Sequence, residues 1–295
     1  MSIPYIPGWI PDPAEVDRIA GMQPYPTFSD TPASRVARIP NEVFLWKFYE
    51  ANAAKPWPSR NQGGVGSCVS FGTAAAIEAT MSAEIFNGDI EEQRDLCQEV
   101  IYGGSRVEIG GGRVGGDGSI GAWAAEFVRI YGVIDRGIYG KYDLTKYDER
   151  RCREWGNRGV PDDLEPEVKK HPIQTVTMVR TWEDAKAALA QGYGIAICSG
   201  QGFTMQRDAD GFARASGSWA HCMALLGYQQ GKREGGWICN SWGPSAHTGP
   251  GGAGDPPPCG FWADAATINR MLGEKDSWAF SAVQGFPLRK IRWYI

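Results

Sequence analysis

One cysteine of the chain lies in a setting that favours nucleophilic chemistry. Cys68 directly follows the glycine-rich stretch NQGGVGS at 61–67, and the run of small residues after it predicts a helix that begins at the cysteine. Free backbone N–H groups and the dipole at a helix N-terminus favour negative charge. We therefore expect a lowered thiol pKa and a nucleophilic thiolate at Cys68. The alternative is a small buried core residue, which is what many lone cysteines are.

A thiol nucleophile needs a general base, and the chain offers three histidines. His171 lies in the charged segment KKHP and His247 in a loop rich in glycine and proline, so we expect a solvated side chain and an ordinary loop side chain. His221 begins the apolar strand HCMALLGY. A histidine at the mouth of a buried strand is a good base, although a core histidine fits that pattern equally well. His221 is the preferred candidate.

A third group must orient the base. The strand predicted for 236–242 returns beside the strand of His221, because only a short hairpin at 229–235 separates them. The side-chain carbonyl of Asn240 could then accept the imidazole N–H and fix its tautomer. Trp242 could shield this hydrogen bond from water. Without a neighbouring histidine, Asn240 would be an ordinary strand-end or turn residue.

Hydrophobic patterns predict an α+β fold that is mainly helical in its first half and mainly β in its second. Helices are expected at 68–87, 91–102 and 122–131, and a short helix capped by Thr181 is expected to end near Leu189. Strands are expected at 175–179, 194–198, 221–228, 236–242 and 278–283. Residues 1–40 hold many prolines and are expected to wrap the body, reach an assembly partner or remain a poorly structured arm.

Composition excludes several classes of function. The 295 residues carry a formal net charge of −4 with no basic cluster, which gives a nucleic-acid partner no electrostatic support. No run of about 18 apolar residues predicts a membrane span, and no signal peptide is recognisable. The expected setting is cytoplasmic by default, with association with a particle as the alternative.

The cysteines and glycines give no sign of a cofactor or metal. The seven cysteines show no paired spacing, so we expect free thiols rather than a zinc site or a disulfide scaffold. The glycine-rich stretches lack the Gly-Lys-Ser/Thr and strand–GxGxxG–helix contexts of nucleotide sites. No cofactor and no metal is therefore expected.

Three motifs, in this order, resemble the papain family of cysteine peptidases. They are NQGxxGSCxxF at 61–71, AH at 220–221 with GY at 227–228, and NSWG at 240–243. Cys68 and His221 are 153 residues apart, against about 130–150 in the family pattern. The resemblance covers about residues 55–285. It implies a catalytic domain at 41–295 with a helical lobe (about 55–134), a crossover (about 135–171) and a β-barrel-like lobe (about 172–285), with the active cleft between the lobes.

The resemblance also implies roles for individual residues. Cys68 would attack the substrate carbonyl as a thiolate paired with protonated His221, and Asn240 would orient the imidazole. Gln62 would form the oxyanion hole together with the backbone N–H of Cys68. The implied substrate-binding residues are Gly118, Ser119, Trp219, Ala220 and Trp242. Gly115-Gly116 is the alternative to the pair Gly118-Ser119.

The sequence departs from the family pattern around the nucleophile and before it. Val69 stands where the family usually has tryptophan, and Val65 replaces a cysteine that usually forms a disulfide. A bulky Trp219 would narrow the main specificity pocket. The roughly 40 residues of the arm are too few for the family's usual helical inhibitory propeptide.

The leading interpretation is a cysteine peptidase that hydrolyses peptide or protein substrates through a Cys-His-Asn triad and an acyl-enzyme. The first alternative is a catalytically silent papain-fold module that binds peptides or belongs to a larger assembly, such as a phage particle. The second is a cysteine amidase that acts on cell-wall peptides.

Overall fold

The longest helix lies in the first half of the chain and the longest strands lie in the second, in the computed structural model. The model describes residues 6–36, 38–88, 93–282, 284–289 and 291. The helices are α1 (Pro13–Gly21), α2 (Leu45–Ala53), α3 (Cys68–Asn87), α4 (Gln98–Gly104), α5 (Gly121–Ile130), α6 (Glu149–Arg158), α7 (Glu165–Val168), α8 (Trp182–Ala190) and α9 (Ala265–Leu272). The strands are β1 (Glu42–Phe44), β2 (Ile138–Tyr139), β3 (Tyr142–Asp143), β4 (Thr175–Met178), β5 (Ile195–Arg207), β6 (Ala213–Gln229), β7 (Gly235–Cys239), β8 (Gly260–Asp264) and β9 (Asp276–Ser281). Within these ranges, no helix is long and apolar enough to cross a membrane.

The helix that begins at Cys68, α3, is buried along most of its length. Every residue from 68 to 84 is buried, as in a helix that is covered on all sides. Its end agrees with the prediction, because Gly88 has φ of 99°, a left-handed conformation that terminates helices. The buried carboxylate of Glu78 pairs with Arg60 through two hydrogen bonds of 2.6 and 2.9 Å, which satisfies a charge that burial would otherwise penalise.

Seven strands form an antiparallel sheet in the order β4-β9-β5-β6-β7-β8, with β1 added beside β6. On one side, β6 pairs first with β5, as at Cys198↔Cys222, and further along with β1; on the other side it pairs with β7. The N-terminal end of α3 lies close against β6. A Cβ built at Gly72 would lie 2.9 Å from the Met223 carbonyl oxygen, so a side chain there would hold the helix away from the strand.

Most predicted elements are found, and the bounds of several differ from the prediction. The helix expected at 91–102 begins only at Gln98, with residues 89–92 outside the described part; the N–H of Leu96 donates to Glu78 Oε1 at 2.7 Å, which keeps that segment out of the helix. The strand expected at 236–242 ends at Cys239. The strand expected at 221–228 begins eight residues earlier, at Ala213, so His221 lies inside β6 rather than at its start. The elements that were not predicted are α1, α2, α6, α7, α9, β1, β2, β3 and β8. Residue 283, in the strand expected at 278–283, lies outside the described residues.

The arm packs along the body over its described residues. Its helix α1 lies on α5, where Trp123 Nε1 donates to Glu15 Oε2 at 2.8 Å. Further along, the ring of Phe28 is fully buried against the rings of Tyr193 and Phe286, with centroids 6.3 and 5.8 Å away. The described arm therefore follows the wrapping alternative, and an assembly role for it stays a prediction.

The expectation that all seven cysteines are free thiols is wrong. Cys198 and Cys222 form a disulfide between directly opposite positions of β5 and β6, where their Cα atoms are 4.0 Å apart. Strand register makes them neighbours, and the spacing of cysteines in the sequence cannot reveal register. The remaining cysteines, all buried and free, are Cys68, Cys97, Cys152, Cys239 and Cys259.

The close contact at Gly72 can be tested by stability measurements. We expect Gly72→Ala to lower the free energy of unfolding by about 1–3 kcal/mol, because the added methyl group overpacks against the Met223 carbonyl. This loss should appear although alanine favours a helix by about 1 kcal/mol over glycine. Gly21→Ala is the control, since a Cβ there meets nothing within 4 Å. Urea denaturation compares the two, and equal stabilities would contradict the close contact.

Candidate active site

The start of α3 places Cys68 beside β6, next to the predicted base. The backbone N–H of Cys222 donates to Cys68 Sγ at 3.4 Å. The residue directly after His221 therefore contacts the thiol. Both Cys68 and His221 are fully buried.

Asn240 holds the imidazole of His221 in one tautomer. Asn240 Oδ1 lies 2.8 Å from His221 Nε2 and also accepts the backbone N–H of Ser241 at 2.7 Å. The second bond identifies Oδ1 as the acceptor, so the proton between the two side chains belongs to His221 Nε2. His221 Nδ1 is then unprotonated, and it has no hydrogen-bond partner in the described part of the chain. Trp242 stacks on the imidazole of His221, with ring centroids 4.6 Å apart.

The expectation that His247 is an ordinary loop side chain is wrong, because it is buried against the other side of Asn240. Asn240 Nδ2 lies 2.9 Å from His247 Nε2. An amide nitrogen only donates, so His247 Nε2 accepts and the imidazole is neutral. Burial, aided by the charge of Arg207, lowers the pKa of His247 to about 3 and keeps it neutral. The glycine- and proline-rich sequence around His247 gave no signal of this, and only its position seven residues after Asn240 could have suggested it.

The side chain of Gln62 is held by neighbours on both of its amide atoms. Oε1 accepts from Ser241 Oγ at 2.6 Å, and Nε2 donates to the Val65 carbonyl at 2.9 Å. The backbone N–H of Gln62 also donates to the Ser241 carbonyl at 2.8 Å. These bonds tie the turn before Cys68 to the segment that carries Asn240, so that all four predicted catalytic side chains lie around one junction.

Burial controls the protonation of the thiol and the imidazole. Removal from water raises the pKa of Cys68 to about 12, although backbone N–H groups, including that of Cys222, oppose this rise. It lowers the pKa of His221 to about 4, against the effect of the Asn240 hydrogen bond. The expectation of a lowered thiol pKa is therefore wrong for this arrangement, in which desolvation outweighs the helix N-terminus. At neutral pH the pair consists of a thiol and a neutral imidazole.

The chain's own arm covers Cys68. A Cβ built at Gly8 would lie 2.8 Å from Cys68 Sγ and 2.4 Å from the Gly66 carbonyl oxygen. A Cβ built at Gly66 would in turn lie 2.5 Å from the Pro7 carbonyl oxygen. The backbone of the arm thus crosses the thiol at a distance that only glycine permits.

Backbone hydrogen bonds hold the arm at residues that the sequence assigned to substrate binding. The N–H groups of Gly8 and Trp9 both donate to the Ala220 carbonyl at 3.0 Å. The Ser119 N–H donates to the Gly8 carbonyl and the Ile10 N–H donates to the Ser119 carbonyl, each at 2.9 Å. Trp9 is therefore bridged to Ser119 in the manner of a short parallel strand.

The other predicted substrate-binding residues lie at the same place. A Cβ built at Gly118, which has φ of 110°, would meet Ile10 Cδ1 at 3.0 Å. The rings of Trp219 and Trp242 pack edge to face with centroids 4.8 Å apart. In the alternative pair, the Gly116 carbonyl accepts instead from Arg106 Nη2 at 2.6 Å. The described residues include no cluster of three His, Cys, Asp or Glu side chains that could hold a metal ion.

The fold and the site together define the class of two-lobed cysteine peptidases. The chain has a helical half, an antiparallel sheet, and a cysteine at the start of the central helix beside a histidine of a strand. Residues 46–249 match the family described as papain family cysteine protease. This range is more than half of the chain. The chain belongs to the papain family and is a cysteine peptidase, whose substrates are peptides or proteins.

Solved structures show the same fold at low sequence identity. Xylellain, a cysteine protease from Xylella fastidiosa, has a TM-score of 0.58 and 18% identity, with 95% of this chain and 96% of xylellain covered. Digestive procathepsin L 3 from the larval midgut of Tenebrio molitor has a TM-score of 0.53 and 16% identity, with 85% and 73% covered. The ragweed pollen allergen Amb a 11, in its proform, gives 0.53 and 16%, with 88% and 69% covered. No curated protein sequence matches this chain.

The cover over Cys68 predicts the reactivity of the thiol. In the full chain, alkylation of Cys68 by iodoacetamide should be slow at pH 7 and rise about tenfold per pH unit up to pH 9, because the thiolate is the reacting form and the thiol pKa is far above this range. Trp9→Ala removes a buried anchor whose loss typically costs about 3–5 kcal/mol, and should speed alkylation at pH 7 by at least about tenfold. Cys97, buried elsewhere, is the internal control. An unchanged rate at Cys68 would show that residues 7–10 do not shield it.

Proposed function

We propose that the chain hydrolyses peptide bonds through a triad of Cys68, His221 and Asn240 and a covalent acyl-enzyme. The observation that carries this proposal is the fixed tautomer of His221. Asn240 holds the proton on Nε2, which leaves Nδ1 free to take a proton from a neighbouring thiol. The thiol lies beside the strand that carries His221, because Cys68 Sγ accepts a hydrogen bond from the backbone N–H of Cys222.

The chemistry begins when a substrate replaces the arm. His221 Nδ1 takes the Sγ proton, and the thiolate, favoured by the α3 N-terminus, attacks the carbonyl carbon of the scissile bond. The Cys68 backbone N–H and the Gln62 Nε2 hydrogen that does not bond Val65 stabilise the oxyanion. His221 then gives its proton to the leaving amine, and a thioester remains on Cys68. Water, deprotonated by His221, attacks the thioester and releases the acid, after which the proton returns to Sγ.

The arm keeps the resting site closed in this proposal. Gly8 lies over the thiol, and the hydrogen-bonding groups of Ser119 and Ala220 that would bind a substrate backbone are taken by the arm. Two of the similar structures are a procathepsin and a proform, which supports a segment that must leave before turnover. Opening also returns Cys68 and His221 towards water, and so removes the desolvation that holds them neutral.

Site-directed variants test the triad. In a Trp9→Ala background that frees the cleft, Cys68→Ser should lower kcat/KM on a peptide substrate by at least about 10⁴-fold. Gln62→Ala should lower kcat by about 10²–10³-fold, because one oxyanion donor is lost. Cys97→Ser is the matched control and should keep full activity. Hydrolysis of a fluorogenic peptide library measures all three, and a Cys68→Ser variant with undiminished turnover would refute the proposal.

His247 acts in this scheme as a positioning residue, since it holds the amide of Asn240. His247→Leu leaves Asn240 Nδ2 buried without an acceptor, a loss of about 1–3 kcal/mol, and frees the amide to turn. We expect kcat to fall about tenfold or more with little change in KM. His247→Gln keeps an acceptor oxygen and should restore most of kcat. A purely structural role would instead lower thermal stability in both variants and leave kcat per folded molecule unchanged.

A further inference from the structure

Two free cysteines that the triad does not use lie against each other behind Asn240. Cys239 Sγ and Cys259 Sγ are 3.6 Å apart, in the contact of a weak hydrogen bond between thiols. Cys239 is the last residue of β7 and directly precedes Asn240, and Cys259 directly precedes β8. A covalent change at this pair would therefore act on the backbone next to a residue of the proposed triad.

The pairing of β7 with β8 places the two side chains at a spacing that a disulfide can bridge. Cys239 lies opposite Gly260, and the Asn240 N–H donates to the Cys259 carbonyl at 2.9 Å. Cys239 and Cys259 are thus one residue out of register on neighbouring strands, where Cα atoms lie about 6 Å apart. Disulfides have Cα separations of about 4.4–6.8 Å and S–S bonds of about 2.05 Å. The two sulfur atoms need to approach by about 1.5 Å, which rotation of the side chains can supply.

The contact between the two thiols favours the loss of one proton from the pair. When Cys259 is deprotonated, the S–H of Cys239 donates to the thiolate. This hydrogen bond, together with the charge of Arg60, lowers the pKa of Cys259 although burial opposes the change. The same hydrogen bond and burial raise the pKa of Cys239, which keeps its proton. The thiolate is the form of cysteine that reacts with oxidants, so the pair combines a reactive sulfur with a second thiol in contact with it.

A small cavity gives an oxidant access to this pair. Cys239 lines a cavity of about 10 Å³ together with Arg60 and Asn240. A cavity of this size has room for about one water-sized molecule. Cys239 is 7% exposed, whereas Cys259 is fully buried. The oxidant must therefore be small, as hydrogen peroxide is.

A bond between the two sulfur atoms would close the loop 240–258 at its base. This loop carries Asn240 and His247, and it is rich in glycine and proline, as in GPGGAGDPPP at 249–258. Its two ends are joined in the reduced chain by the hydrogen bond from the Asn240 N–H to the Cys259 carbonyl. A covalent link at the same place keeps the ends together when that hydrogen bond opens, and it restricts the unfolded chain.

We propose that Cys239 and Cys259 form a redox site, at which hydrogen peroxide produces a reversible disulfide that closes the loop of Asn240 and His247. The thiolate of the pair attacks one oxygen of the peroxide, the O–O bond breaks, and a sulfenic acid and hydroxide result. Hydroxide takes up the proton that was lost when the thiolate formed. The second thiol then attacks the sulfenic sulfur, the S–S bond forms, and water leaves with the proton of that thiol. Two thiols and one peroxide thus give one disulfide and two waters.

Peptide mapping of the full chain tests the cross-link. The folded protein is treated with hydrogen peroxide or with dithiothreitol, unfolded in N-ethylmaleimide and digested with trypsin. The tryptic peptide 234–270 contains Cys239 and Cys259 and no other cysteine. After peroxide we expect this peptide without label and lighter by two hydrogen atoms, and after dithiothreitol we expect a label on both cysteines. Cys97, which is buried and donates to Glu99, is the internal control and should remain a thiol. Labels on both cysteines after peroxide, or added oxygen atoms without a cross-link, would overturn the proposal.

Thermal unfolding tests the closure of the loop. The peroxide-treated chain should have a Tm at least about 5 °C above that of the dithiothreitol-treated chain, because the cross-link restricts the unfolded state. The double variant Cys239→Ser with Cys259→Ser should lose this difference, and Cys97→Ser is the matched control that should keep it. Any effect of the reagents on the disulfide of Cys198 with Cys222 appears in all three proteins and cancels. Equal differences in the chain and in the double variant would contradict the closure. Neither experiment uses turnover, so the result is independent of the proposed triad.

Discussion

The contact between the first turn of α3 and β6 is the constraint on which the rest of the site depends. Gly72 lets the helix backbone approach the Met223 carbonyl, and one turn earlier Cys68 Sγ comes within reach of the Cys222 N–H. A helix held farther away would separate the thiol from the strand that carries His221. The close packing at Gly72 therefore sets the distance between α3 and β6, and the hydrogen bonds of the site form at that distance.

Polar bonds then fix orientation around this junction. Asn240 lies between two imidazoles, and the Ser241 N–H decides which end of its amide faces which ring. If the amide of Asn240 were flipped, its donor Nδ2 rather than its acceptor Oδ1 would face the Nε2–H of His221. The low pKa of His247, about 3, matters here because the imidazole stays neutral at neutral pH and remains an acceptor for Asn240.

Much of this could be predicted from the sequence, because motif residues close together in the chain carry their own local geometry. The turn before Cys68, the helix stop at Gly88 and the apolar strand segment that contains His221 are local signals. His247 and the disulfide of Cys198 with Cys222 depend on register and on contacts between distant segments, which no local pattern encodes. The expected low thiol pKa was wrong for a related reason. The helix N-terminus is visible in the sequence, whereas the covering segment that removes water is not.

The arm shows that a few residues can occupy the cleft when they are tethered to the rest of the chain. A short tethered segment has an effective concentration in the millimolar range, so contacts that would give only millimolar affinity to a free peptide already fill the site about half of the time. Residues 7–10 supply four backbone hydrogen bonds and one buried indole bond, and α1 and Phe28 shorten the effective tether by docking the following chain. The prolines of the arm limit its helices. The arm is held in the cleft by Gly8, which packs over Cys68 Sγ, and by Trp9, whose indole N–H donates to the carboxylate of Asp276.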